Sequence, residues 1–265
     1  EDITEEKLEK ASKLQWVMVA SAGVEKMPID WMKRHHIPMA NVSGIHKTPM
    51  AEAILAHILA QARALPTILQ QQREHYWNQK VRSTEIKGKE ALIIGPGAIG
   101  QEVGRLLQAF GVRTVGCNYS GQPRPHMDET VSFRELSTQL PTADFIISVV
   151  PSTDDTRHLL TANHFEQMKR TVHFLNFGRG DLYKEEDLIE ALRRETIGYA
   201  TLDVYQTEPL HYNHPYWTLP NCTVSPHVSS HSGKYLERAM PIIEENLTRW
   251  LDEKRPFYNE IDLNK

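Results

Sequence analysis

The sequence predicts an α/β fold built on a doubly wound parallel sheet. From about residue 90 onward, short and almost wholly apolar runs alternate with amphipathic stretches. A strand that is apolar at every position is buried on both faces, which is the usual state of a parallel strand covered by helices. The second observation is a glycine-rich turn between the first such strand and the first helix, which predicts a nucleotide-binding form of this fold.

Five strands and two helices are predicted within this alternating region. The strands are predicted over 91–94, 112–117, 145–150, 172–177 and 199–204, and the helices over 99–110 and 187–194. The first helix is expected to face the sheet with the residues that recur at helical spacing, namely Val103, Leu106, Leu107 and Phe110.

The regions before and after this alternation have a different pattern. Strands are predicted over 14–20 and 40–42, and a long helix over 49–64 with positions 51, 54, 55, 58 and 59 on one side. The C-terminal helix, roughly 234–252, carries an apolar stripe that is predicted to be core, formed by Leu236, Met240, Ile243, Leu247 and Leu251. We therefore predict a smaller domain over 1–47, a nucleotide-binding domain over 48–230, and a C-terminal segment, 231–265, that returns to the smaller domain.

The composition is that of a globular protein and argues against several classes. The formal net charge is -4, which gives no indication of a nucleic-acid or anionic-membrane partner. No apolar run approaches the ~18 residues that a membrane span needs, and the acidic, polar start is unlike a secretory signal. Cys117 and Cys222 make no disulfide framework and fit a reducing compartment, so a cytoplasmic location is expected.

The glycine-rich turn is Gly95-Pro96-Gly97-Ala98-Ile99-Gly100, a G-x-G-x-x-G fingerprint between a predicted strand and a predicted helix. Gly95 is expected to form the tight turn, Gly97 to let a pyrophosphate approach the backbone, and Gly100 to let helix and strand pack closely. The helix N-terminus then offers free N–H groups and the positive end of its dipole to the phosphates. An ordinary glycine-rich turn is the alternative.

The end of the second strand bears on the choice between NAD and NADP. An acidic residue there usually holds the ribose 2′-hydroxyl of NAD, whereas this chain continues Cys117-Asn118-Tyr119-Ser120 without a carboxylate. Since a carboxylate would repel a 2′-phosphate, its absence permits NADP, and Ser120 and Arg124 could offer that phosphate a hydroxyl and a cation. The sequence favours NADP on this argument, with a solvated loop residue as the alternative for Arg124.

Three segments after the fingerprint, 176–180, 202–210 and 225–228, carry groups suited to ketone reduction. The first two follow predicted strand ends, where ligands bind in a doubly wound sheet. Arg179 would bind the carbonyl oxygen and the carboxylate, His227 would protonate the nascent alkoxide, and Glu208 would orient the imidazole. Taken singly, each has a structural alternative: a turn arginine, a loop acid before proline, and a structural Pro-His pair.

Together these motifs resemble one family, the D-2-hydroxyacid dehydrogenases. Asn176-Phe177-Gly178-Arg179-Gly180, Leu202-Asp203-Val204, Glu208-Pro209-Leu210 and Pro226-His227 follow the glycine turn in that family's order, and 149–156 resembles one of its loops. The resemblance runs from about Trp16 to Pro256. It implies a Rossmann-type domain with a second, flavodoxin-like substrate domain. It also implies an NAD(P)-dependent oxidoreductase that transfers a hydride between the cofactor and a small 2-keto or 2-hydroxy acid.

The resemblance also implies roles for particular residues. Arg179, Glu208 and His227 form the catalytic set, and Asp203 lies near the nicotinamide carboxamide. The backbone amides of Ala22, Gly23 and Val24 grip the substrate carboxylate. The segment 119–125 resembles the loop of NADP-preferring glyoxylate and hydroxypyruvate reductases. The residues expected to contact the cofactor are Gly95, Gly97, Ala98, Ile99, Gly100, Asn118, Tyr119, Ser120, Arg124, Val150, Pro151, Thr156, Phe177, Gly178, Arg179, Asp203, His227 and Ser229.

The chain departs from the family in two places. The first strands and helix of the substrate domain, which form part of the substrate pocket wall, are expected to be absent, so the smaller domain is predicted to be truncated at its N-terminus. After Pro226-His227 the family usually has a small residue and glycine, whereas this chain has Val228-Ser229-Ser230.

Several alternatives stay open. Within the family, phosphoglycerate, lactate or hydroxyisocaproate specificity competes with the reduction of a small keto acid. A dinucleotide-sensing protein like the C-terminal-binding-protein corepressors has the same fold and triad. Trp77 is expected to pack on its own domain, with a partner subunit's pocket as the alternative, and a homodimer through the dinucleotide-binding domain is predicted. No metal site is predicted, since no third element converges on the spaced histidines His211, His214, His227 and His231.

Overall fold

The computed structural model describes residues 3–24 and 26–263 and divides the chain into two compact units. The larger unit is Lys47–Ser230, and the smaller unit comprises Glu1–His46 and His231–Lys265. The larger unit contains a seven-stranded sheet and the smaller unit a two-stranded sheet.

The helices and strands alternate along most of the chain. In chain order they are α1 (Glu5–Glu9), β1 (Val17–Val19), α2 (Ile29–Arg34), β2 (Met39–Asn41), α3 (Lys47–Ala62), α4 (Leu65–Arg73), β3 (Glu90–Ile94), α5 (Ala98–Ala109), β4 (Arg113–Asn118), β5 (Glu129–Ser132), α6 (Leu136–Gln139), β6 (Phe145–Ser148), α7 (Ala162–Gln167), β7 (His173–Asn176), α8 (Glu185–Arg193), β8 (Tyr199–Leu202), β9 (Cys222–Val224) and α9 (Tyr235–Leu251). Short 3-10 helices lie at Phe133–Glu135, Gly180–Leu182 and Pro215–Trp217.

The seven strands of the larger unit run parallel in the order β5-β4-β3-β6-β7-β8-β9. The chain moves outward from β3 through β4 to β5, and then returns to place β6 on the other side of β3. The direction of winding therefore reverses between β3 and β6, and such a reversal opens a ligand crevice at the carboxyl ends of the strands. The predicted doubly wound parallel sheet is confirmed.

Successive residues of β3 face two separate cores. Leu92 and Ile94 pack with residues of α8 on one face, whereas Ala91 and Ile93 pack with residues of α3 and α5 on the other. All four side chains are fully buried. Burying a leucine or isoleucine contributes roughly 1.5–3 kcal/mol, which explains why this strand is apolar at consecutive positions.

Helix α5 follows the predicted pattern except at its end. Val103 and Leu107 are buried and Leu106 packs against the same core, as expected. Phe110, also predicted to face the sheet, is 43% exposed. This prediction was wrong because the helix ends at Ala109, so Phe110 is its C-cap and no longer follows the helical period.

The apolar stripe predicted for α9 is exposed rather than buried. Leu236, Met240, Leu247 and Leu251 are 70%, 43%, 45% and 66% exposed, and only Ile243 packs against a core. The buried side of α9 instead carries Ala239 and Asn246. Leu236 of the predicted stripe and the buried Ala239 are three residues apart, which places them about 60° apart around the helix axis. The predicted helical spacing was therefore right, but the buried face of α9 is the one next to the predicted face. Asn246 is buried because its amide donates to Tyr258 O and accepts from Tyr258 N.

Trp77 does not pack on its own domain, contrary to the sequence-based expectation. Its side chain is 87% exposed, and α4, which ends four residues earlier at Arg73, has no buried residue. The segment after α4 has no regular secondary structure around Trp77, so helical spacing gave no guide to its burial. Among the described residues, no helix has both the length and the apolar character needed to cross a membrane.

Candidate active site

The three segments predicted to carry the chemistry follow neighbouring strands of the larger unit. Arg179 follows β7, Glu208 follows β8, and His227 follows β9. Because these strands are parallel and adjacent, their carboxyl ends lie at one edge of the sheet. This edge is where a doubly wound sheet binds its ligands.

Glu208 and His227 are in direct contact. His227 Nδ1 lies 2.8 Å from Glu208 Oε2. The His227 side chain is 47% exposed and the Glu208 side chain is 37% exposed. The second carboxylate oxygen, Oε1, accepts a bond of 3.1 Å from the backbone N–H of Tyr205. Since a carboxylate only accepts, Nδ1 carries the proton of this bond. The imidazole is therefore oriented, and Nε2 is its other reactive nitrogen.

Arg179 lies in a turn that a buried asparagine holds closed. The Asn176 amide donates to Arg179 O at 2.9 Å, and its oxygen accepts from the Gly178 backbone N–H at 3.1 Å. The Arg179 guanidinium donates to Gly178 O at 2.9 Å. Asn176 thereby fixes the backbone of Arg179 at the end of β7.

Close approaches at two glycines join the strand-end loops. A Cβ on Gly178 would lie 2.5 Å from Val150 O, and one on Gly180 would lie 2.1 Å from the Tyr205 carbonyl carbon. No side chain fits at such distances, so both positions need glycine. The loops after β6, β7 and β8 consequently pack backbone against backbone, which brings the Arg179 turn against the Tyr205–Glu208 segment.

The three glycines of the fingerprint differ in what surrounds them. Gly95 has φ +91°, and a Cβ there would lie 2.7 Å from Val150 Cγ1, whereas a Cβ on Gly100 would lie 2.6 Å from Gly95 O. Both glycines therefore serve the turn and its packing. Gly97 has an ordinary extended backbone, with φ -81° and ψ -156°. Apart from its neighbours in the chain, no atom of the described residues lies within 4 Å of the position that a Cβ would take there. Neither backbone nor packing demands glycine at 97.

The open space at Gly97 suits a dinucleotide pyrophosphate. Gly97 is the N-cap of α5, a helix of 12 residues with no side-chain cap. The first backbone N–H groups of a helix lack intrahelical acceptors and favour anions. Within the described part of the chain, the N–H groups of Ala98, Ile99 and Gly100 have no recorded acceptor. The turn fits the group that the fingerprint predicts.

The turn over 119–125, directly after β4, carries no acidic side chain. Asn118 Oδ1 accepts from the backbone N–H groups of Ser120 and Gly121 at 3.0 and 2.7 Å, so this side chain shapes the turn. Tyr119 is 70% exposed and Arg124 is exposed. Burial raises the pKa of the preceding Cys117 thiol to about 12. The thiol therefore adds no charge, and Arg124 carries the charge of this turn.

In the loop after β6, the Thr156 side chain bonds to the backbone of the same loop. The Thr156 hydroxyl donates to Pro151 O at 2.6 Å and accepts from Thr153 N at 2.9 Å. Val150, predicted to end the strand, lies beyond β6 and is buried beneath Gly95 and Gly178. Phe177 is buried in the core shared with α3 and α5. These residues shape the edge of the crevice.

The turn predicted to bind the substrate carboxylate lies in the smaller unit, after β1. The Asn41 amide donates to Ala22 O at 2.6 Å, and the Ser21 hydroxyl donates to Gly23 O at 2.7 Å. Among the described residues, the N–H groups of Ala22, Gly23 and Val24 have no recorded acceptor. The turn is thus held through its carbonyls, and its amides stay available to an anion.

Two residues that hold the site, Asn176 and Tyr205, lie in segments singled out from the sequence but had no individual role assigned to them there. The Tyr205 hydroxyl lies 2.8 Å from Leu202 O and 2.9 Å from Ser225 O, so its single proton is shared between the ends of β8 and β9. Burial raises the pKa of Tyr205, so it stays a neutral donor. Both residues are polar and lie in or beside apolar strands, which is the signal that could have identified them.

A parallel sheet with a dinucleotide turn, a His–Glu pair and an arginine at one edge defines a nicotinamide-dependent dehydrogenase. The model of the family described as D-isomer specific 2-hydroxyacid dehydrogenase, NAD binding domain, matches residues 55–229. The chain belongs to the D-isomer specific 2-hydroxyacid dehydrogenase family.

Relatives and solved structures agree with this family. The glyoxylate reductase/hydroxypyruvate reductase of Homo sapiens is 33% identical over 227 residues, which is 82% of this chain and 68% of that protein. The glyoxylate reductase of Aeropyrum pernix is 29% identical, covering 94% of this chain and 77% of its own. A family member from Aeromonas salmonicida superposes with a TM-score of 0.87 at 36% identity, covering 97% and 81% of the two chains. An NADPH-dependent glyoxylate/hydroxypyruvate reductase from Sinorhizobium meliloti, in complex with NADP and sulfate, has a TM-score of 0.82 at 26% identity and 94% and 79% coverage.

The function class follows. The chain is an oxidoreductase that transfers a hydride between a nicotinamide cofactor, NAD or NADP, and a small 2-keto or 2-hydroxy acid. The comparisons do not support the alternative of a dinucleotide-sensing corepressor.

Proposed function

We propose that this enzyme reduces glyoxylate, hydroxypyruvate or another 2-keto acid with a small side chain, with His227 as the proton donor. The observation that carries the proposal is the 2.8 Å bond between His227 Nδ1 and Glu208 Oε2. It leaves Nε2 to face a substrate oxygen. The names of the H. sapiens and A. pernix relatives support a small keto acid.

The chemistry divides between cofactor and protein. When bound, the nicotinamide supplies the hydride that adds to the keto carbon. The Arg179 guanidinium attracts the substrate carboxylate and the carbonyl oxygen, on which negative charge develops. His227 donates its Nε2 proton to that oxygen, which completes the hydroxyl group. Glu208 stabilises the protonated imidazole. Because the His227 side chain is 47% exposed, it recovers a proton from solvent.

A substrate panel tests the specificity. The enzyme is mixed with NADPH and glyoxylate, hydroxypyruvate, pyruvate, phosphohydroxypyruvate or 2-ketoisocaproate, and the decrease in absorbance at 340 nm is followed. We expect kcat/KM for glyoxylate or hydroxypyruvate to exceed that for 2-ketoisocaproate by about ten-fold or more. A preference for the branched or phosphorylated acid would refute the proposed substrate class. NADPH binding without turnover of any acid would refute the proposed activity.

The preference for NADP rests on the turn after β4. This turn ends without an acid and exposes Arg124, and the S. meliloti reductase was crystallised with NADP. Replacing Arg124 with alanine is expected to raise the KM for NADPH by about ten-fold, because one charged bond to the 2′-phosphate is lost. The KM for NADH should stay unchanged. Arg194→Ala, which removes an exposed arginine at the end of α8, is the matched control. Equal effects on both cofactors would exclude Arg124 as a 2′-phosphate ligand.

A homodimer through the dinucleotide-binding domain is also proposed. The support is a set of apolar side chains on and after α4 that are 43–87% exposed, namely Leu65, Ile68, Leu69, Tyr76 and Trp77. Clusters of this kind usually mark interfaces. Sedimentation velocity at micromolar concentration checks the proposal, since a purely monomeric species would contradict it. The cytoplasmic location, the substrate domain over 1–47 and the carboxylate-binding amides of Ala22, Gly23 and Val24 stay predictions.

A further inference from the structure

The loop after β6, residues 149–160, contacts both the dinucleotide turn and the Arg179 turn. Its strand, β6, pairs with β3 on one side and with β7 on the other. The dinucleotide turn follows β3, and Arg179 follows β7. Val150 lies 2.7 Å from the position that a Cβ would take on Gly95 and 2.5 Å from that on Gly178, so it packs against both turns. A group that joins this loop to the Arg179 turn can therefore act on two binding sites at once.

The Asp181 side chain is such a group. The Ser152 hydroxyl donates to Asp181 Oδ2 at 2.5 Å, and the Arg157 guanidinium lies 3.6 Å from the same oxygen. A hydroxyl bond to a carboxylate is charge-assisted and stronger than a bond between neutral groups. The Arg157 side chain is 58% exposed, and exposed ion pairs contribute little. The bond to Ser152 is therefore the main link.

Both ends of this link are held in place. On one side, Asp181 lies in the 3-10 helix Gly180–Leu182, and Arg179 is the N-cap of that helix. On the other side, the Thr156 hydroxyl donates to Pro151 O at 2.6 Å, which closes the start of the loop on itself. A cofactor that fixes the loop therefore also fixes, through Asp181, the backbone that follows Arg179.

We propose that Asp181 is a positioning residue that couples the cofactor site to the substrate site, so that a bound dinucleotide preorganises Arg179 for the keto acid. This rests on the proposed function, in which Arg179 binds the substrate, and on the dinucleotide contacts expected for Val150, Pro151 and Thr156. Preorganisation raises affinity because less freedom is lost on binding. Each ligand should therefore bind more tightly when the other is present, as two coupled sites require.

The side chain of Asp181 can be removed without opening the backbone around it. The His158 N–H donates to Asp181 O at 2.8 Å, and the Leu160 N–H donates to Leu182 O at 3.0 Å. These bonds need no side chain, so we expect Asp181→Ala to fold and to keep the loop beside the Arg179 turn. What the variant loses is the bond from Ser152 at the start of the loop.

Oxalate tests the coupling, since it resembles a small 2-keto acid but cannot accept a hydride. Its Kd is measured by calorimetry with and without saturating NADPH. For the wild type we expect NADPH to tighten oxalate binding by about ten-fold, within the usual range for coupled sites. In Asp181→Ala and in Ser152→Ala this factor should fall to about two-fold or less, with the Kd of NADPH alone changed by less than about two-fold. Asp181→Asn should keep most of the factor, because its amide oxygen still accepts from Ser152.

Asp144→Ala is the matched control. Asp144 precedes β6 at the opposite edge of the sheet, where its carboxylate accepts from Lys169 Nζ and from the backbone N–H of Glu90, both at 3.0 Å. This variant also breaks an ion pair and a hydrogen bond next to β6, but it leaves the crevice edge unchanged. It should keep the wild-type coupling factor even where it lowers the free energy of unfolding.

Three results would overturn the role of Asp181. They are a wild type in which NADPH does not tighten oxalate binding, an Asp181→Ala variant with the full coupling factor, and an equal loss of coupling in Asp144→Ala. Failure of the proposed function would look different, since a wild-type enzyme that reduces no keto acid would refute that function whatever the variants show. Full coupling in an Asp181→Ala enzyme that still reduces glyoxylate would refute the positioning role alone.

Discussion

Replacing His227 with glutamine is expected to lower kcat for keto-acid reduction by about 100-fold or more, the usual contribution of a positioned acid–base group. Glutamine can donate a hydrogen bond but cannot deliver a proton to an alkoxide. Since the imidazole is 47% exposed and its recorded bond is to Glu208, its loss removes little packing. The measurement is the rate of NADPH oxidation at saturating keto acid.

His211→Gln is the matched control for this variant. His211 is an exposed histidine three residues after Glu208, and its imidazole contacts Asn213. It should keep wild-type turnover, and both variants should keep wild-type affinity for NADPH. A His227→Gln enzyme within about three-fold of the wild-type kcat would remove His227 from the mechanism.

Replacing Gly97 with valine is expected to weaken dinucleotide binding by about 100-fold, equivalent to about 3 kcal/mol, without unfolding the chain. The branched side chain would occupy the space that the pyrophosphate needs. Gly97 has φ -81°, and a Cβ there meets nothing described within 4 Å. The free energy of unfolding without cofactor should therefore change by less than about 1 kcal/mol, the scale of an N-cap substitution.

Two further variants make this prediction specific. Gly233→Val should change neither property, since its Cβ also meets nothing within 4 Å and it lies in the smaller unit. Gly95→Ala should lower the free energy of unfolding even without cofactor, because φ is +91° and the Cβ would lie 2.7 Å from Val150 Cγ1. Calorimetric titration with NADPH and urea unfolding measure the two quantities. Wild-type affinity in Gly97→Val would exclude this turn as the phosphate site.

Much of the larger unit was predictable because its signals are local. A parallel strand buried on both faces is apolar at consecutive positions, as in Leu92, Ile93 and Ile94. The three fingerprint glycines lie within six residues and predict a strand–turn–helix. Chemistry-bearing residues after successive strands could be expected at one edge, since parallel strands end together. The contact between Glu208 and His227 agrees with that expectation.

The predictions that failed concerned which face of a helix, or which side chain, packs against the rest of the protein. In α9 the stripe from Leu236 to Leu251 has the correct period, yet the neighbouring arc with Ala239 and Asn246 is the buried one. Periodicity gives the spacing of a face but does not say which face meets the core. Trp77 likewise lies outside any regular element, so its 87% exposure had no local signal.

The sequence by itself determined the doubly wound sheet, the dinucleotide turn and the order of the groups placed along the crevice, because each depends on residues close together in the chain. Only the tertiary structure decided how those groups are held. Asp203 meets Ser229 across 26 positions, and Tyr205 meets Ser225 across 20. Such partners are chosen by the order of strands in the sheet, and no local pattern encodes that order. These long-range bonds hold the segment that carries His227 on both sides of its imidazole.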